Sequence, residues 1–199
     1  SVQSRDQNQT IEVGWTVDPA LNHDSYAHLF VYYWVDHAPK GYNTSAFQRN
    51  PKAVIKPGDP MAAEWAPRQF QIKYNNQRWE IFVGNTFLGY YPASLWKNFT
   101  KIGLTSWFGE VCSTKTTNPD TFMGNGGLSD KINAATITDM FYIESQKRAV
   151  RAQPSFKTTL PKWYSYKFDG ITYRYGGPGV PVITSVSQIL AQGIQTITI

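Results

Sequence analysis

Apolar and polar residues alternate with a period of two along most of the chain. Ile11, Val13, Trp15 and Val17 are separated by Glu12, Gly14 and Thr16, the pattern of a strand with one face in a core. Residues 27–35 predict a second strand, with Leu29, Val31, Tyr33 and Val35 on one face and His28, Phe30, Tyr32 and Trp34 on the other. Three runs then follow closely, 70–74, 79–83 and 86–91, separated by Asn75-Asn76 and Gly84-Asn85. Asn and Gly accept the positive φ of tight hairpin turns, so this spacing predicts a three-stranded meander. Residues 102–108, leading into Glu110-Val111-Cys112, and residues 134–144 continue the alternation, and residues 164–175 predict a late hairpin turning at Asp169-Gly170. Helical periodicity is confined to a short turn in 93–98 and another in 186–192. Residues 43–67 and 113–131 are rich in Pro, Gly, Asn and Thr and read as long loops. Many short strands with turn signals between them predict an all-β sandwich or barrel.

The chain has 199 residues, enough for one domain with a real core, and we expect a single domain over 1–199. Charged residues make up 17% and aromatics 15%, which places the chain among folded proteins and not disordered ones. No apolar run approaches the length of a membrane span, and Ser1–Thr10 is polar. The expectation is therefore a mature chain that starts after any leader and has no membrane partner. The formal charge is +5 with a pI near 9.2. Lys and Arg are scattered, however, the tightest group being Lys147-Arg148 with Arg151, and phosphate binding needs a patch or stripe. No nucleic-acid partner is expected. Cys112 is the sole cysteine, which excludes an intrachain disulfide and a thiolate metal site. Three Asn-x-Ser/Thr triplets begin at Asn8, Asn43 and Asn98, and they matter only in a eukaryotic secretory pathway.

Candidate chemistry narrows by residue type. His23, His28 and His37 match no metal-ligand spacing, and no serine sits in a Gly-x-Ser-x-Gly elbow. The glycine clusters at 124–127 and 176–179 lack the lysine and helix of a phosphate loop and read as turns. No metal and no cofactor are expected. Carboxylates remain, and the five glutamates are Glu12, Glu64, Glu80, Glu110 and Glu144. Glu12 lies on the strand face opposite Ile11, Val13 and Trp15, while Glu110 sits in the apolar run Trp107-Phe108-Gly109-Glu110-Val111. Partial burial raises a carboxyl pKa and a second carboxylate splits the two values, which is what acid–base hydrolysis uses. Periodicity alone favours a solvated or ion-paired surface position for each glutamate, and Glu80 shares the strand context of Glu12. Periodicity does not choose among them.

The order of short motifs does. Ile11-Glu12-Val13-Gly14-Trp15-Thr16-Val17-Asp18-Pro19 resembles the opening of the neprosin catalytic domain. Leu29-Phe30 to Trp34, Gly41-Tyr42-Asn43, and Trp79 to Pro92 with Leu88-Gly89-Tyr90-Tyr91-Pro92 are similar to its next segments. So are Trp107-Phe108-Gly109-Glu110-Val111, Met123-Gly124-Asn125-Gly126 and Tyr173-Arg174-Tyr175-Gly176-Gly177-Pro178-Gly179. Seven segments occur in the family's order from Ile11 to Gly179, leaving 180–199 unassigned.

The resemblance implies a glutamic peptidase whose catalytic pair falls on Glu12 and Glu110. It also implies two antiparallel sheets stacked face to face, with the active-site groove on the concave face. A secreted, monomeric endopeptidase working in acid on proline-containing peptides is the resulting expectation. Trp15, Phe30, Tyr32, Trp34, Tyr91 and Trp107 are the expected substrate-binding aromatics, and Gln69 or Gln71 the expected oxyanion donor. Three departures from the family pattern stand out. Gly41-Tyr42-Asn43 lacks the cysteine of plant members, which points to a microbial relative. Phe108 replaces a glycine, and the tail beyond Gly179 has no counterpart. Paired glutamates on an aromatic β-sandwich also describe a glycoside hydrolase, and the aromatics alone a carbohydrate-binding module.

Overall fold

The computed structural model describes residues 1–61, 68–113, 119–132, 134–143 and 148–179. Glu64, Glu144 and the turn expected at 186–192 therefore lie outside the described residues. The chain separates into two compact units. One holds Ser1–Val17 with Tyr26–Ser106, and the other holds Asp18–Ser25 with Trp107–Ile199.

The first unit is an antiparallel sandwich. Its larger sheet has the order β4(Ala38–Tyr42)-β3(His28–Val35)-β2(Thr10–Thr16)-β1(Val2–Gln3)-β9(Leu104–Thr105). Its smaller sheet has the order β5(Gln48–Arg49)-β8(Thr86–Pro92)-β7(Arg78–Val83)-β6(Phe70–Asn75). The predicted meander is β6–β7–β8, but its first turn is Asn76-Gln77, because Asn75 still pairs with Arg78. Both turn residues have positive φ, as a two-residue hairpin of this hand requires. Asp36-His37 makes the same kind of turn between β3 and β4, a hairpin that the sequence pattern does not announce.

Period-two alternation decides what is buried. Ile11, Leu29, Val31 and Tyr33 point inward from the larger sheet and meet Trp79, Ile81, Val83, Leu88 and Tyr91 from the smaller one. Aromatic rings fill the space between. Tyr33 lies 4.9 Å from Tyr91 and meets Trp96 edge-on at 5.8 Å, while Trp79 lies 4.5 Å from Phe99. The buried indoles are satisfied, Trp79 donating to the Phe99 carbonyl at 2.9 Å and Trp96 to the Trp34 carbonyl at 2.6 Å. Leu88 and Tyr91 are three apart yet share this core, because a bulge in β8 opposite Ile81/Phe82 inserts a residue and swaps faces. Gly89 makes the bulge possible: its φ is 148°, and a Cβ there would fall 2.3 Å from the Gln48 carbonyl oxygen.

In the second unit, a three-stranded sheet β10(Ala135–Thr138)-β14(Thr172–Gly176)-β13(Ser165–Phe168) carries Tyr173 and Tyr175 into a core with Met123, Met140 and Tyr164. Phe156, Tyr173 and Tyr175 stack in series at 5.0 and 5.6 Å. The expected strand over 134–144 is two strands, β10 and β11(Phe141–Ile143), since Asp139 takes a φ of 53° and breaks the run. The second of them pairs with β12(Ala149–Arg151). A single helical turn, α1(Pro19–Asn22), is capped by Asp18, whose carboxylate accepts from the Ala20 and Leu21 amides at 3.0 Å. No helix among the described residues is long and apolar enough to cross a membrane.

Candidate active site

Glu12 pairs directly with Tyr32 across β2 and β3, with Gly14 opposite Phe30 and Thr10 opposite Trp34. Paired residues share a face, so Glu12, Phe30, Tyr32 and Trp34 stand together on the side of the larger sheet that turns away from the core. Tyr42 joins them from β4. It pairs with Tyr32, its ring lying 4.5 Å from that of Tyr32 and meeting Phe30 edge-on at 5.3 Å. Gly14 gives Phe30 its seat, since a Cβ at 14 would come within 3.2 Å of the Phe30 ring. Tyr42 was absent from the expected aromatics; the β3–β4 pairing that places it rests on a turn with no Asn-Gly or Asp-Gly signal.

Glu12 is half-buried in this setting. Burial raises its carboxyl pKa above the usual 4.5, opposed by the nearby Ser1 amino group and by a hydrogen bond from the Trp34 indole. Within its unit, no described Lys or Arg side chain forms an ion pair with it. Glu80 is the contrast. It is buried, and it accepts from Arg78 Nη2 at 3.0 Å and from Asn75 Nδ2 at 3.2 Å. Arg78 also lies over the Tyr90 ring at 4.9 Å. That carboxylate is committed to a structural ion pair, whereas the charged group acting on Glu12 is the Ser1 amino group.

Glu110 belongs to the second unit and is half-buried. Its local frame is closely packed. Trp107 and Val111 pack against the core of that unit, and Gly109 lies so close to Tyr175 that a Cβ would fall 2.2 Å from the ring. The backbone that carries Glu110 thus lies against a buried tyrosine whose ring also stacks on Tyr173.

The neprosin family model matches residues 1–178. The chain belongs to the neprosin family. The match runs through both units, and the family's peptidase kinship supports reading the chain as a protease in general terms.

The remaining sequence candidates fall in different places. Tyr91 is fully buried in the sandwich core, the bulge in β8 having turned it inward. Trp15 pairs with Leu29 on the face of β2 opposite Glu12, and Trp107 packs on the core of the second unit. Gln71 pairs with Phe82 on the outer face of β6, because its neighbours Phe70 and Ile72 point to the core. Gln69 is exposed, its carbonyl accepting from the Gly84 amide at 2.8 Å. The three histidines have local roles. His23 ends α1 with a φ of 64°, His37 completes the β3–β4 turn, and buried His28 has Nδ1 2.8 Å from the Gly58 carbonyl oxygen. Among the described residues, no three His, Cys, Asp or Glu side chains gather as a metal site would require.

Proposed function

We propose that this neprosin-family chain is a secreted glutamic endopeptidase in which Glu12 and Glu110 hydrolyse peptide bonds by direct attack of water. The observation that carries the proposal is Glu12 itself, a half-buried carboxyl with its pKa raised, ringed by aromatics and free of the ion pair that neutralises Glu80. Because burial disfavours its charge, Glu12 is the protonated partner, and Glu110 is the base that takes a proton from water. Glu12 polarises the scissile carbonyl and then gives its proton to the leaving nitrogen. Neither carboxylate bonds covalently to substrate. High pH strips the proton from Glu12, so activity belongs to the acid side.

Tyr32, Trp34 and Tyr42 stand on the Glu12 face of the larger sheet, aromatics suited to an extended peptide and to proline rings. The test is incubation with a proline-rich protein and, separately, with a polysaccharide, each at about pH 4 and about pH 7. The proposal expects peptide cleavage in acid and none of the polysaccharide. Sugar release would replace it with a glycoside hydrolase, and binding without cleavage with a carbohydrate-binding module.

A further inference from the structure

The sheet β10-β14-β13 turns Ile137, Phe168, Tyr173 and Tyr175 toward the core of the second unit. The same alternation sets its other face, where Thr136, Thr138, Ser165, Lys167, Thr172 and Arg174 stand. None of these six is a carboxylate. Lys167 pairs directly with Arg174, so two cations oppose each other across β13 and β14. Like charges in that position destabilise a sheet. Among the described residues, neither cation forms a salt bridge.

A cavity of about 330 Å³ opens on this face, lined by Ser129, Asp130, Ile132, Lys167, Asp169 and Arg174. That is the small end of the range for ligand sites. Both of its carboxylates already have partners. Asp169 accepts from the Ile171 and Thr172 amides at 3.0 and 2.7 Å, in the turn between β13 and β14. Those amides, Thr172 first, hold its carboxyl below the usual range, and Arg174 adds less than either. Asp130 lies 3.5 Å from the ammonium of its neighbour Lys131, in an exposed ion pair. Buried Ser129 donates its amide to Ser165 Oγ at 2.8 Å, which ties the loop to the start of β13. The cavity therefore joins two cations that lack ion pairs with two carboxylates that are already engaged.

We propose that Lys167 and Arg174 form a binding site for a tetrahedral oxyanion, phosphate or sulfate, held between the ammonium and the guanidinium. A phosphate group carries about −1.5 to −2 charge at neutral pH and several strong acceptor oxygens. The planar guanidinium fork suits two of those oxygens, and the ammonium supplies a point charge to another. The cross-strand repulsion is then replaced by charge-assisted hydrogen bonds. A monoanion matches one of the two cations and leaves the other, so the pair favours a dianion.

Calorimetric titration of the full chain at about pH 7 and fixed ionic strength tests the site, using sodium phosphate, sodium sulfate, phenyl phosphate and sodium acetate. Phosphate and sulfate should bind with Kd of about 1 mM or tighter. Lys167→Met and Arg174→Gln should each weaken that binding about tenfold or more. At ten times Kd, either anion should raise the wild-type Tm by about 3 °C and leave both variants unmoved. Lys167 lies on an edge strand, so Lys167→Met carries the test if Arg174→Gln fails to fold. Without anion it should melt no lower than the wild type, because it removes the repulsion. Phenyl phosphate binding as well as phosphate assigns an ester-borne group, and binding of the inorganic ions alone assigns the free ion. Equal binding by the wild type and Lys167→Met would overturn the proposal. So would acetate binding as tightly as sulfate, or a thermal shift that chloride reproduces at the same ionic strength.

Discussion

Replacing Gly109 with alanine sets a Cβ 2.2 Å from Cε2 and 2.8 Å from Cδ2 of Tyr175. Carbon atoms rest at about 3.5–4.0 Å, so more than an ångström of overlap must be relieved. The tyrosine has little room to retreat. It lies on β14, the central strand of its sheet, and its ring stacks on Tyr173 at 5.6 Å and 18°. The backbone of residues 108–110 must move instead, and it carries Glu110. Overpacking of this kind costs about 2–3 kcal/mol. For a chain of this size that lowers Tm by roughly 5–10 °C. A carboxylate displaced by about an ångström should reduce kcat/KM by ten- to a hundredfold. Thermal denaturation by circular dichroism reads the first effect. Peptide cleavage well below the transition reads the second. A Gly109→Ala variant with wild-type Tm and wild-type kcat/KM would refute the claim that this contact fixes Glu110.

Other perturbations separate structure from chemistry. Tyr91→Phe removes a buried hydroxyl that has no hydrogen-bond partner among the described residues, so stability should hold or rise by up to about 1 kcal/mol with KM unchanged. A raised KM would bring Tyr91 back to the substrate. Arg78→Met leaves buried Glu80 with Asn75 alone and should destabilise by about 2 kcal/mol, read by urea unfolding, while cleavage per folded molecule is preserved. For Glu12 the folded pKa lies above the ordinary 4.5, so between those values the native state binds more protons and stability falls as pH rises. Glu12→Gln should therefore melt above the wild type at about pH 7 and together with it at about pH 3. Equal melting at both would contradict the raised pKa.

Much of this fold is legible in the sequence because one face of each long strand must be apolar. Ile11, Val13 and Trp15 against Glu12 and Gly14, and Leu29, Val31 and Tyr33 against Phe30, Tyr32 and Trp34, sit on the faces their spacing predicts. What the pattern does not carry is anything that breaks the period or falls below its length. The bulge in β8 reverses Tyr90 and Tyr91, and the positive φ of Asp139 cuts one long run into two strands. β1 and β9 are two residues each, too short to alternate. The β3–β4 hairpin turns on Asp36-His37, so the contact of Tyr42 with Tyr32 emerges only from the register. For the candidate site, alternation leaves Glu12 and Glu80 equivalent. The difference is a neighbour on the same strand, Arg78, whose pairing with Glu80 depends on side-chain geometry that no spacing rule reports.

The claim that Glu12 and Glu110 perform the hydrolysis is tested most directly by single amide replacements. Glu12→Gln and Glu110→Gln, each shown to be folded by circular dichroism, are assayed on a proline-rich protein at about pH 4. Each should lose about a thousandfold in kcat, because neither amide can give or take the proton that the reaction moves. Near-normal cleavage by either folded variant would contradict the pair.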